Sequence, residues 1–182
     1  ATTAQEHRCL QQLLQKMADT VWGSHANNEY GHEDLIAVGD CEFIQGRAYV
    51  FAARVFEAKH PVVRVHPGAG EKVLLLGQFI KRLVGFNLPD SQALLGILQG
   101  HVTRPENTIT WHWQAGDVAM WDNRATEHRA IADFGQEERE LQRVTLVGDA
   151  PRSVDGQQSE QVVNGIPNPV LLWEKDGRGG RR

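Results

Sequence analysis

A histidine and two arginines in the last third of the chain have the residue types and spacing needed to bind an anion. His128 ends a run of mostly apolar, then polar, residues, and Arg139 and Arg143 follow it by eleven and fifteen positions. If residues 139–147 are extended, Arg139, Leu141 and Arg143 share one face, with the two guanidiniums about 13 Å apart. Two arginines on one inward face, with a histidine nearby, could bind two anions beside a metal.

Structural salt bridges are the alternative for the two arginines. Both are compatible with ordinary ion pairs, and the pattern alone favours this interpretation over an anion site. The carboxylates available nearby in the sequence are Asp133, Glu137, Glu138 and Asp149.

The elements that must position these side chains are mainly strands in the second part of the chain. Apolar residues at three- and four-residue steps predict a helix over residues 4–22, and the polar composition of 24–40 predicts a long loop. Alternation and β-branched runs predict strands, and Pro89 predicts the start of a short helix. A weaker helical or mixed segment covers 46–58; the strands are predicted at 60–67, 72–76, 108–113, 118–121 and 140–147, with a turn at 114–117 and an extended tail over 162–173.

The order of these elements favours a mainly β fold, a barrel or sandwich with helices packed outside. Strands and helices do not alternate regularly, so a doubly wound parallel sheet is disfavoured. The tryptophans that alternate along the strands are predicted to pack in the core, and the histidines that flank prolines to face solvent or cap a turn. These are Trp111, Trp113 and Trp121, and His60 and His66; the inward residues of the short helix are predicted to be Leu94, Leu95, Ile97 and Leu98.

Length, charge and cysteine usage exclude several classes of function. The chain has 182 residues and a net charge of −4, which fits one domain and provides no basic field for nucleic acid. It has two cysteines, too few for a disulfide framework, and no apolar run long enough to span a membrane. We therefore expect a cytoplasmic protein with no nucleic-acid or membrane partner, whose residues 177–182 form a flexible tail.

A resemblance to a known family rests on two long motifs. Residues 116–128 read GDVAMWDNRATEH, with arginines at plus eleven and plus fifteen, and residues 60–67 read HPVVRVHP. In these stretches the chain resembles the taurine dioxygenase family of Fe(II)- and 2-oxoglutarate-dependent oxygenases, most closely its alkylsulfatase branch. The resemblance extends from the first helix to Gln157.

The resemblance implies a double-stranded β-helix, or jelly roll, and a set of site residues. His128 corresponds to the distal histidine of an iron triad of two histidines and one carboxylate. Arg139 corresponds to the arginine that holds 2-oxoglutarate, Arg143 to a second anion-binding arginine near cosubstrate and substrate, and Phe79 lies near the position of a substrate-packing aromatic. The implied cofactors are Fe(II), 2-oxoglutarate and O2, and the implied partners are a small sulfate or sulfonate and further copies of the chain in a dimer or tetramer.

One part of the family pattern is missing. The His-x-Asp ligand motif lies upstream of the first helix in the family, whereas the His-x-Asp here, His32 and Asp34, falls in the loop that corresponds to a lid. We therefore expect residues 1–176 to be the C-terminal part of one jelly-roll domain without its N-terminal strands, with 24–58 as lid loop and insert. Such a part should expose inner apolar faces and unpaired strand edges.

Three functions are consistent with these observations. The first is oxidation of an alkyl sulfate or sulfonate to an aldehyde plus sulfate or sulfite, with succinate and CO2 as co-products. The second is a non-catalytic or truncated relative that binds anions without turnover, which the missing His-x-Asp motif supports. The third keeps the chemistry but acts on an aryloxy carboxylate.

Overall fold

The computed structural model describes residues 7–8, 10–27, 54–131 and 143–167 of the chain. Short helices and strands alternate irregularly along these ranges. In chain order the elements are α1 (Gln12–Ala18), β1 (Trp22–Ala26), β2 (Arg54–Pro61), β3 (Val63–Val65), β4 (Lys72–Leu74), β5 (Ile80–Leu83), α2 (Leu88–Val102), a 3₁₀ turn (Pro105–Asn107) and β6 (Glu160–Pro167).

An antiparallel sheet in the order β5-β1-β2-β6 forms the centre of the described structure, and β3 and β4 form a separate hairpin. In the central strand, Gly23 pairs with His60 of β2 on one side and with Leu83 of β5 on the other. A Cβ at Gly23 would lie 2.5 Å from Cδ1 of Ile80. The glycine therefore lets the Ile80 side chain pack directly onto the β1 backbone.

The helix predicted over 4–22 is longer than the helix that the structure contains. Helix α1 ends at Ala18, and the Thr20 amide and hydroxyl both donate to the Met17 carbonyl, which closes the last turn. Residues 22–26, predicted as helix end and loop, instead form a strand with hydrogen-bonded partners on both sides. Pairing with β2 and β5 outweighs the local preference of this segment.

Helix α2 begins as the sequence predicts. Asn87 caps it by accepting a bond from the Asp90 amide, at 2.9 Å, and Pro89 occupies its first turn. Leu98 is fully buried and Leu94 and Leu95 pack against the core, but Ile97 is 50% exposed, so its predicted inward position is wrong. The helix packs on β5, where the buried Ser91 hydroxyl accepts a bond from the Leu83 amide, at 2.7 Å.

The apolar core is built from the first helix, the hairpin, β5 and α2. Each fully buried aliphatic side chain stabilises the folded state by about 1.5–3 kcal/mol relative to an exposed one. Its buried members are Leu10, Ala18, Val62, Val63, Leu74, Leu76, Leu83, Leu98 and Val102.

Residues 108–121 and 143–150 form no strand, although the turn at 114–117 is present through the Asp117 amide and Gln114 carbonyl. The strand predictions at 108–113, 118–121 and 143–147 are therefore wrong here, because no other described segment pairs with their backbones. The tryptophans predicted to pack in the core are exposed, Trp111 by 59%. Apolar faces are exposed as expected, at Ile109, Val118, Met120, Val144, Leu146 and Val147.

Two further predictions concern the ends of the described ranges. The segment 46–58, expected as helical or mixed, includes the start of β2 at Arg54, and the extended tail predicted over 162–173 includes most of β6. Residues 46–53 and 168–173 lie outside the described ranges. Among the helices described, none has the length and apolar character to cross a membrane.

Candidate functional site

A short loop carries His128, and the Asp122 carboxylate organises its beginning. That carboxylate accepts bonds from Arg124 through the backbone amide (2.8 Å), Nε (2.9 Å) and Nη2 (2.8 Å), and His66 Nε2 lies 3.0 Å away. The Asp122 carbonyl accepts bonds from the Ala125 amide and the Thr126 hydroxyl. The bonds from Arg124, and next the one from His66, hold the pKa of Asp122 well below its usual range.

The other end of the loop is attached to the core. The Gln99 side-chain amide of α2 donates to the Glu127 carboxylate at 3.3 Å, and the Leu76 backbone, after β4, also bonds this carboxylate. Burial nevertheless raises the pKa of Glu127, and these two hydrogen bonds oppose that shift. His128 therefore follows directly after a residue fixed to both α2 and the end of the hairpin.

A buried arginine lies beneath the same loop. Arg64 of β3 is 5% exposed, and its pKa is lowered first by burial and next by the Arg124 charge. The carboxylates of Asp122 and Asp149 act in the opposite direction. The two guanidiniums and two carboxylates are therefore close enough for their opposite charges to act on one another.

The His128 imidazole itself is exposed and rests against an aromatic ring. Its centroid lies 4.8 Å from that of Trp121, with the rings tilted by 53°, and the Trp121 indole N–H donates to the Asn123 side chain at 2.8 Å. Partial burial, and next the charge of Arg143, lower the pKa of His128. The neutral imidazole is therefore favoured, and this is the form that coordinates metals.

Arg143 is exposed, and it lies close enough to His128 for its charge to act on the imidazole. No ion pair joins it to Asp149 within the described ranges, while Asp133, Glu137 and Glu138 lie outside them. Phe79 is 36% exposed, and its carbonyl accepts a bond from the Ala26 amide, which ties it to the end of β1.

Arg139, a predicted site residue, falls outside the described residues, and so do His32 and Asp34 of the His-x-Asp motif. In the part of the chain that is described, no group of three or more histidine, cysteine, aspartate or glutamate side chains is arranged to hold a metal ion. His128 is therefore one candidate ligand rather than a complete site.

Sequence reasoning missed the role of His66 and misjudged His60. His66 does cap a turn, as predicted, since its Nδ1 accepts bonds from the Gly68 and Ala69 amides, but it also contacts the loop before His128. His60 does not face solvent: it packs edge-on against His25, with centroids 4.9 Å apart, and its Nδ1 lies 2.7 Å from the Ser159 hydroxyl. The Asp-Asn-Arg run after Trp121 was the sequence signal for the turn that His66 contacts, because such residues favour turns stabilised by their own side chains.

Residues 10–145 of the chain match the model of the family described as taurine catabolism dioxygenase TauD, TfdA family. The alpha-ketoglutarate-dependent sulfate ester dioxygenase of Pseudomonas putida is 48% identical over 165 residues, which are 91% of this chain and 54% of that protein. The alkylsulfatase of Acinetobacter baylyi is 44% identical over 156 residues, 86% of this chain and 49% of that protein. The chain thus spans about half the length of these curated relatives.

A solved structure supports the same family relationship. The crystal structure of a taurine dioxygenase from Burkholderia xenovorans matches with a TM-score of 0.70 and 35% identity, over 92% of this chain and 52% of that one. The mainly β fold class with few helices that the sequence predicts is confirmed, and the predicted jelly roll is consistent with this match.

Proposed function

Since this chain belongs to the taurine catabolism dioxygenase family TauD, TfdA, we propose that it forms part of an Fe(II)- and 2-oxoglutarate-dependent active site that oxidises an alkyl sulfate or alkyl sulfonate. His128 provides one iron ligand, Arg139 binds the distal carboxylate of 2-oxoglutarate, and Arg143 binds the second anion. The observation that carries this proposal is the placement of His128 on a loop anchored through Asp122 and Glu127, with Arg143 close enough for its charge to act on the imidazole.

The donor chemistry at the loop fits a ferrous ion in part. An exposed imidazole with a lowered pKa is a competent ligand at neutral pH. Among the described residues no group of three or more histidine, cysteine, aspartate or glutamate side chains completes a metal site around His128, and the predicted iron ligands do not include His32 and Asp34. Iron with 2-oxoglutarate and oxygen would supply the oxidation at the carbon bearing the ester oxygen or sulfur, giving an aldehyde plus sulfate or sulfite, with succinate and CO2.

Arg143 would determine which second anion is accepted. Its guanidinium is exposed, and within the described ranges no ion pair joins it to Asp149. Sulfate and sulfonate oxygens accept two parallel N–H bonds from an arginine, and the Pseudomonas putida and Acinetobacter baylyi relatives are named for sulfate ester chemistry. Phe79 would pack against the alkyl part of the substrate. Homo-oligomerisation and a cytoplasmic location, both expected from the sequence, stay predictions.

The test is a substrate panel with Fe(II), oxygen and 2-oxoglutarate. Medium-chain alkyl sulfates or sulfonates should stimulate succinate formation and release sulfate or sulfite, whereas the matching alcohols should not. Arg143 is exposed, so its pairing with the sulfate should contribute about 0.5–1 kcal/mol, and Arg143→Gln should raise the KM for the alkyl sulfate about two- to fivefold. Arg82→Gln, at an exposed arginine of β5, is the matched control and should change nothing.

Two outcomes would replace the proposal. Preference for an aryloxyacetate would favour the chemistry of the 2,4-dichlorophenoxyacetate dioxygenase of Cupriavidus pinatubonensis, which is 37% identical over 90 residues. Binding of 2-oxoglutarate without turnover of any substrate would favour a non-catalytic relative. His128→Ala should abolish the anaerobic absorption band of the Fe(II)–2-oxoglutarate chelate, and an unchanged band would refute the ligand assignment.

A further inference from the structure

The two ring nitrogens of His66 have different and fixed tasks. Nδ1 accepts backbone N–H bonds from Gly68 (3.2 Å) and Ala69 (3.0 Å), so it carries no proton. The proton of the neutral ring is therefore on Nε2, which lies 3.0 Å from Oδ2 of Asp122 and donates to it. The His66 side chain is 11% exposed and the Asp122 side chain 38% exposed, so water can approach the bond only from the Asp122 side.

The His66–Asp122 bond joins two parts of the chain that are 56 residues apart. The bonds between Asp122 and Arg124, by contrast, link residues two positions apart and define only the internal shape of the loop. At its far end the loop is fixed by the Gln99–Glu127 bond. Without His66 the start of the loop loses its attachment to the β3–β4 hairpin while Glu127 stays bonded to Gln99, so the two ends of the loop can move relative to each other.

We propose that His66 is a positioning residue for His128, acting through its Nε2–H bond to Asp122, which stands six residues before the candidate ligand. Its effect on metal binding rests on the proposed function, but its effect on the orientation of His128 does not. Metal ligands must be held within about 0.5 Å of their productive geometry. Loss of the residues that orient a ligand typically weakens metal affinity by about 10–100-fold.

The ring contact between Trp121 and His128 provides a readout that needs no metal. With centroids 4.8 Å apart, the indole ring current displaces the resonance of the His128 Cε1 proton from its position in a free imidazole. If the Asp122 end of the loop moves while Glu127 stays bonded to Gln99, Trp121 moves relative to His128 and this displacement changes. The resonance thus reports the placement of the imidazole relative to Trp121.

Two substitutions at position 66 separate the two tasks of the ring. His66→Asn keeps an acceptor near the Nδ1 position for the Gly68 and Ala69 amides but has no donor that reaches Asp122. His66→Gln keeps a donor near the Nε2 position but loses the turn acceptor. We expect His66→Asn to lose the displaced His128 resonance and to weaken Fe(II) binding, in the presence of 2-oxoglutarate, by about tenfold or more. His66→Gln should retain the resonance and bind Fe(II) within about threefold of the wild type.

The measurements are made on the complete protein, with thermal unfolding midpoints recorded for both variants. The inference is overturned if His66→Asn leaves the resonance and the affinity unchanged, or if His66→Gln impairs both as much as His66→Asn does. If the wild type binds no Fe(II) while His66→Asn still loses the displaced His128 resonance, the positioning role stands and the proposed function fails.

Discussion

Acid sensitivity of folding should depend on His25, a buried histidine in the central strand β1. The residue is 8% exposed, and no described residue forms a hydrogen bond with its Nε2. Burial, and next the neighbouring His60, lower the pKa of His25 from 6.5 to about 3. The folded protein therefore requires the neutral ring, whereas the unfolded chain takes up a proton at mildly acidic pH.

The expected magnitude follows from these two pKa values. Because the folded pKa is depressed, stability is fully present above pH 6.5 and is lost progressively as the pH falls toward about 3. At pH 5 the unfolded state binds nearly one proton more at this position, which lowers the free energy of unfolding by about 2 kcal/mol relative to pH 8. The pKa of His60 is lowered as well, so its contribution has the same sign.

The measurement is urea-induced unfolding at pH 8, 6.5 and 5. His25→Phe removes both the titrating group and the nitrogen without a described partner, so its stability at pH 8 should be close to that of the wild type. The loss between pH 8 and 5 should then be smaller than the wild-type loss by about 2 kcal/mol. His112→Gln, at an exposed histidine, is the control and should reproduce the wild-type loss. Equal losses in His25→Phe and the wild type would refute the reasoning.

Two buried polar side chains should contribute to stability through backbone groups. Asn27→Ala removes the acceptor for the Phe56 amide (2.7 Å) and the donor to the first carbonyl of β2 (2.9 Å), so urea unfolding should show a loss of about 2–3 kcal/mol. Ser91→Ala leaves the buried Leu83 amide without its acceptor and should cost about 1–2 kcal/mol, whereas Gln92→Ala, at the adjacent exposed position of α2, should cost less than about 0.5 kcal/mol. Equal effects of the two α2 substitutions would contradict the second prediction.

Elements whose determinants are local were predictable from the sequence. The start of α2 depends on Asn87, Pro89 and Asp90, which lie within four consecutive positions. Strands β3 and β4 lie in short, mainly apolar stretches. Strand β1 was not predictable in this way. Its sequence contains a glycine, a serine and a histidine in succession, all buried, because strands pair with it on both sides.

The segments at 108–113 and 118–121 have a strand-like sequence pattern but form no strand. Their alternation is that of strands, and the side chains of Ile109 and Met120 remain exposed because no described segment hydrogen-bonds to either backbone. A period of two specifies which residues share a face, but the strand itself forms only with a partner. The strand prediction for these segments was wrong because it rested on the alternation alone, which does not reveal whether a partner strand is present.

The candidate site depends on spacing that is visible in the sequence and on a contact that only the fold creates. The spacing of His128 and Arg143 is visible in the sequence, and the structure places them within electrostatic reach of one another. The contact of His66 with Asp122 is not visible, because it joins positions 56 residues apart and depends on the hairpin that brings β3 next to the loop.

The attachment points of the loop explain why His128 is held although the neighbouring extended segments are exposed. Glu127 is bonded by Gln99 and by the Leu76 backbone, and both of these residues stand at the apolar core, since Leu76 and the neighbour of Gln99, Leu98, are buried in it. Asp122 is bonded by His66, directly after β3. The orientation of the imidazole therefore derives from the packed hairpin and α2, and the exposed segments contribute the charge of Arg143, the proposed anion-binding residue, rather than the support of the candidate ligand.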